Sequence, residues 1–257
     1  MTRFSSGTFT PAPGRGRLSQ MLLTQARTEF VLTLRNAEQV LLTLLIPLGL
    51  LIGLTALTVL PVPEPRVDNV TPRILALAVM STAFTGQAIA LGFDRRYGVL
   101  KRLAATALPR WSLVAGRMLA VLGVVAVQLV VLGAVAAALG WRPEPAGLVA
   151  AALLVLAGTA AFGALGLLLG GTLRAEVVLA VANTVWLLLV VAGGIALPVQ
   201  ALPGPLSVLA AGLPSGALAE GLHAALVQGT TPWGSLGVLL AWAAGAGLLA
   251  ARTLRLS

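Results

Sequence analysis

The 257-residue sequence has no cysteine, one histidine and one tyrosine. Without cysteine there is no disulfide framework, no thiolate metal site and no thiol nucleophile. A single histidine rules out a His-Glu-x-x-His zinc site, and charge is scarce as well: 17 Lys+Arg and 8 Asp+Glu make up 10% of the chain. No Gly-x-x-x-x-Gly-Lys-[Ser/Thr] phosphate cradle occurs, and the one lysine, Lys101, lies in no glycine-rich loop. What remains is apolar. Hydrophobic residues reach 58%, with 29 glycines besides, against about 45–50% with glycine included in an average soluble domain. A soluble domain of this size has nowhere to put that much apolar surface, so the sequence predicts an integral membrane protein.

Six uncharged apolar runs are long enough to cross a bilayer as helices: 40–60, 74–93, 118–139, 147–171, 177–197 and 233–251. Their hydrophobicity is continuous rather than alternating, which argues for helices and against barrel strands. A shorter stretch, Leu206–Leu218, is broken at Pro203-Gly204-Pro205 and at Pro214, and reads as a re-entrant helical hairpin between spans five and six. Residues 1–17 are rich in Ser, Thr, Pro, Gly and Arg, and are expected to form a disordered tail. From Leu18 to about Gln39, Leu18, Leu22, Ala26, Phe30 and Leu34 form one i+4 row, which predicts an amphipathic helix in the membrane interface leading into span one. The predicted fold is therefore all-α, with six transmembrane helices preceded by an interfacial helix, in one membrane domain over 18–257.

Basic residues orient the spans. With the N-terminus inside, fourteen of the seventeen fall in inner segments, and only Arg66, Arg73 and Arg142 fall outside. This positive-inside bias predicts that both termini are cytoplasmic. It also places the excess positive charge at membrane flanks, which excludes a nucleic-acid interface.

The densest polar segment is the inner loop Asp94–Arg117, where Arg96, Leu100, Leu103, Ala104 and Ala107 have helical spacing before Pro109. A short basic helix held between two spans suits a cytoplasmic partner, although such a loop can equally serve only to set topology. The run Asp94-Arg95-Arg96, Gly98-Val99-Leu100-Lys101-Arg102-Leu103, Thr106, Pro109-Arg110-Trp111 and Gly116-Arg117 resembles the segment between spans two and three of ABC-2-type transporter permeases. The segment Leu213-Pro214-Ser215-Gly216-Ala217…Glu220-Gly221-Leu222-His223 is similar to that family's motif after span five. The chain departs from the family pattern at Lys101 and Leu213, where acidic and Asn residues are usual, and at His223, where Arg is usual.

The resemblance implies the membrane subunit of a bacterial drug, lipid or polysaccharide exporter, in the cytoplasmic membrane. Two copies of a separate ABC ATPase would hold ATP and Mg, and this chain would bind no cofactor, hold no metal and have no catalytic residue. A second permease copy, identical or similar, would complete the path. Asp94, Arg95, Arg96, Gly98, Leu100, Lys101, Arg102, Leu103 and Thr106 would couple to the ATPase. Thr85, Gln87, Asn183 and Trp186, on spans two and five, would line the path, and Pro214, Glu220 and His223 would form an outer gate. The residues alone leave other readings open: a span Gln or Asn commonly makes an interhelical hydrogen bond, and Gly163, Gly166 and Gly170 read as close helix packing. An ion-coupled carrier needs ionisable groups within the spans, and the six runs have none. An ATP-independent facilitator or lipid scramblase remains the alternative.

Overall fold

The computed structural model describes residues 17–57, 63–105, 109–195 and 204–253. The tail over 1–16 and Thr106 lie outside the described residues. Among those residues the chain is all helix: α1 (Leu18–Arg35), α2 (Ala37–Ala56), α3 (Arg66–Met80), α4 (Gln87–Arg96), α5 (Val99–Ala104), α6 (Arg110–Ala138), α7 (Leu148–Thr172), α8 (Ala175–Ala192), α9 (Gly204–Gly212), α10 (Pro214–Gln228) and α11 (Trp233–Thr253). A π-helical turn, Ser81–Gly86, joins α3 to α4 without a break. Five segments are long and apolar enough to cross a membrane: Arg66–Arg96, Trp111–Ala138, Pro145–Thr172, Ala175–Ala192 and Trp233–Thr253. The first run of the sequence corresponds to α2, whose described apolar part, Thr43–Ala56, is shorter than a full span.

The α3–α4 helix is the axis of the bundle. Residues Val70 to Met80 are all buried, Thr71 and Arg73 among them. Around it pack α2, α6, α7 and α10, and the main core runs through Leu77, Met80, Phe84, Leu132, Phe162 and Leu218. Close approach depends on small residues. A Cβ on Gly166 would lie 2.8 Å from Phe84 O and 3.0 Å from Ala83 O, and one on Gly170 would lie 2.5 Å from Ala88 O. The glycines of α7 thus seat it against the backbone of the π turn and α4, the packing role their spacing predicts. By contrast α8 and α11 flank the bundle and leave most of their surface exposed.

Helix α1 packs on α6. It runs alongside the first half of α6 and in the same direction, with Gln25 and Ala26 over Gly116 and Phe30 over Gly123. The two α6 glycines leave room for it. The predicted apolar row is split: Ala26 is buried, whereas Leu18 and Leu34 are exposed.

The segment around Pro214 also exceeds its predicted size. Pro205 and Pro214 both sit at the start of helices, where their missing N–H costs nothing. α10 continues to Gln228 and is buried against α3, α7 and α11 from Pro214 to Ala219.

Candidate functional site

The loop Asp94–Arg117 is built as a corner. Tyr97 N–H donates to Phe93 O (2.9 Å) and Gly98 N–H to Arg95 O (3.2 Å), closing α4. Gly98 then takes φ +68°, the left-handed conformation that glycine adopts without a Cβ penalty. Arg96 therefore belongs to α4, and of the helix its spacing with Leu100, Leu103, Ala104 and Ala107 predicts, α5 covers Val99–Ala104, with Ala107 outside the described residues. Leu100 is buried and pins α5 to Leu91, Leu167 and Ala250, on α4, α7 and α11. After Pro109, extended at φ −60° and ψ 141°, α6 begins.

Three consecutive residues at the end of α4 grip three other helices. Asp94 forms an ion pair with Arg117 of α6, in which the arginine side chain is only 10% exposed and the carboxylate 29%. Arg95 Nη1 donates to Gly170 O (3.0 Å) and Leu173 O (3.1 Å), carbonyls at the end of α7, where a helix lacks internal donors. Arg96 pairs with Glu176 in the first turn of α8. Beside Arg117, Gln25 donates to Glu29 within α1 (3.0 Å). Glu29, Thr33, Thr82, Gln87 and Arg117 line a small polar cavity of about 40 Å³ between α1, α4 and α6. Lys101 and Arg102 are exposed on α5, and Leu103 is half-buried.

Because Arg117 is buried, removing either charge of its pair strands the other. Arg117→Leu is expected to lower stability by about 3 kcal/mol. The double variant Asp94→Asn with Arg117→Leu should recover more than half of that loss. Thermal unfolding in detergent of the two single variants and the double variant measures this coupling.

The residues expected to line a path do not share one surface. Gln87 lines the small polar cavity facing α1 and α6. Trp186 Nε1 donates to Ser81 Oγ (2.9 Å), joining α8 to the π turn, and Thr85 is half-buried in that same turn. Asn183 faces outward from α8 and donates to Leu179 O of its own helix (2.9 Å). Across the bundle, Thr82 Oγ1 donates to Gln128 Oε1 (2.8 Å).

At the opposite end, Pro214, Glu220 and His223 all lie on α10. Asn69 of α3 donates through Nδ2 to Pro63 O (3.1 Å) and Pro65 O (3.2 Å). Its Oδ1 is thereby turned to His223 Nε2 (2.9 Å), which must carry the proton and donate it. Arg73, also on α3, is 8% exposed. The hydropathy boundary at Ile74 assigns Arg73 to an outer loop, but it is buried inside the bundle one turn beyond Asn69. Asn69 and Arg73, four residues apart on one face, are the part of this cluster that sequence reading missed.

Burial holds His223 below its ordinary value of 6.5, with Arg73 acting in the same direction and Glu220 opposing both. A depressed folded value means that the neutral ring is favoured in the native state. Stability from this site is therefore present above about pH 6.5 and is lost as pH falls toward the lowered value. The melting temperature should drop between about pH 7.5 and 5.5, and His223→Gln, which keeps a donor, should flatten that slope.

The fold is thus a multi-pass helical membrane protein with a charged, many-helix junction at one end and a buried polar cluster at the other. Residues 20–227 match the family model for the ABC-2 type transporter. Since the match covers well over half of the 257 residues, the chain belongs to the ABC-2 type transporter family and is a transporter permease component. No curated protein matches it. Glu176 was the other partner missed: its contact with Arg96 joins residues 80 apart, and no local pattern announces it.

Proposed function

We propose that this chain is the membrane half of an ATP-driven exporter, powered by separate ATPase subunits that dock on α5 and the end of α4. The observation that supports this most is the grip of Asp94, Arg95 and Arg96 on α6, α7 and α8. A push on α5 is transmitted through it to three helices at once. In this reading α2, α3–α4, α6, α7, α8 and α11 are six spans, both termini are cytoplasmic, and α9–α10 re-enters from the outer side of a bacterial cytoplasmic membrane. Two permease copies, identical or similar, enclose the path, with the outward face of α8 and Asn183 toward the partner. Glu220 and His223 hold α10 as an outer gate. ATP and Mg act on the ATPase, and this chain carries out no hydrolysis. An amphipathic drug, a lipid or a glycan carrier is the class of cargo.

The test is affinity capture of the tagged chain from mildly solubilised native membranes, followed by mass spectrometry. The expected result is a stoichiometric soluble protein with a Walker ATPase motif. A chain recovered alone, in a detergent that preserves a known ABC complex, would overturn the reading in favour of a facilitator or scramblase.

A further inference from the structure

Beside the three-helix junction lies an open cleft of about 420 Å³, between the α4–α5 corner and the turn from α7 to α8. Four cations, Arg95, Arg96, Lys101 and Arg174, line it against one acid, Glu176. Glu176 is taken up by Arg96. Arg95 is fixed by the α7 carbonyls it serves through Nη1 alone, and a guanidinium has five N–H donors. Lys101 and Arg174 are exposed and form no ion pair among the described residues. The cleft therefore presents three uncompensated positive charges, one of them already held in place.

We propose that this cleft seats the phosphate headgroup of an anionic membrane lipid. Charge complementarity is the first reason: a phosphate accepts charge-assisted bonds from several cations at once. Depth is the second. The cleft sits where α4 ends at Arg96, α7 at Thr172 and α8 begins at Ala175. That is the level at which apolar helices leave the hydrocarbon and basic pockets between helices meet headgroups. Surface below it is the third. Ala175 lines the cleft, and one turn along the same face Leu179 is 44% exposed, so an acyl chain leaving the headgroup finds apolar side chain rather than charge. The inference rests on the membrane placement given above; Arg95, Arg96 and Lys101 lie on the surface proposed for ATPase docking, and the test below separates the two roles.

The full chain, purified into nanodiscs of phosphatidylcholine with or without phosphatidylglycerol, tests it by native mass spectrometry and thermal unfolding. The wild type is expected to retain phosphatidylglycerol over phosphatidylcholine by about tenfold or more. Arg174→Gln with Lys101→Gln should remove most of that preference, and Arg252→Gln, at the end of α11, should leave it intact. If the double variant unfolds, Arg174→Gln alone must still reduce the preference severalfold. Retention unchanged by these variants overturns the proposal. Equal stabilisation by inorganic phosphate would make the cleft a soluble-anion site and overturn the lipid assignment. Loss of ATPase binding in the double variant, with lipid retention unchanged, would make it a protein contact. The lipid-retention outcomes are read on the permease alone, so they do not depend on whether an ATPase is found by affinity capture.

Discussion

In the exporter reading proposed above, replacing Leu100 with aspartate is expected to reduce ATP-dependent transport by about tenfold or more, while ATP hydrolysis by the bound ATPase continues. Leu100 is the anchor of α5, buried against Leu91, Leu167 and Ala250. A helix of six residues has almost no stability of its own, because its nucleation cost is never recovered over so short a length. Its rigidity comes from that one side chain and from the Gly98 turn. A carboxylate cannot replace the apolar packing against Leu91, Leu167 and Ala250 and is drawn toward the cations of the cleft that Leu100 also lines, taking α5 out of its seat. The spans stay folded, since their core lies elsewhere. Paired transport and ATPase assays in proteoliposomes decide the matter, with Leu100→Met as the volume-conserving control. Full transport by Leu100→Asp would remove α5 from the coupling route.

Gly147→Ala is expected to cost more than about 3 kcal/mol, and so to lower the melting temperature by roughly 6–12 °C. The glycine opens α7, and a Cβ there would overlap the backbone carbonyl of Ala225 in α10. Neither side can yield cheaply. Glu144 N–H donates to Leu226 O (2.8 Å) and ties the same two segments together, while α10 is wedged against α3 and α11. Gly237→Ala in α11 is the matched control: nothing stands within 4 Å of its Cβ, and alanine favours the helix. Thermal unfolding of the two variants side by side would expose any error, since similar midpoints would mean that α10 is not docked as described.

Much of this architecture was legible because its signal is local. Apolar runs, breaking prolines and the basic inner loop each follow from adjacent residues. The family motif then pointed to Asp94–Arg96 and Glu220–His223. What remained hidden depends on partners distant in the chain. Arg96 meets Glu176, and Asn69 meets His223 across 154 positions. The i+4 row of α1 announced a helix with one apolar face, but that it would pack over Gly116 and Gly123 depends on another helix. Pro214 read as a break because proline ends helices, but it begins one equally well. Gln87 and Asn183, alike as lone polar residues in apolar runs, face a cavity in one case and the exterior in the other.

The π turn of Ser81–Gly86 sets the azimuth of everything below it. An α-helix advances about 100° per residue, so the one extra residue a π turn accommodates resets the angular phase of α4 relative to α3. The faces of the two halves of this helix are consequently chosen independently. Shortening the turn by one residue would leave Asn69 and Arg73 against α10, but would swing Asp94, Arg95 and Arg96 round together by about a quarter of a revolution. All three helix contacts would be lost in one step, with every side chain that makes them still present.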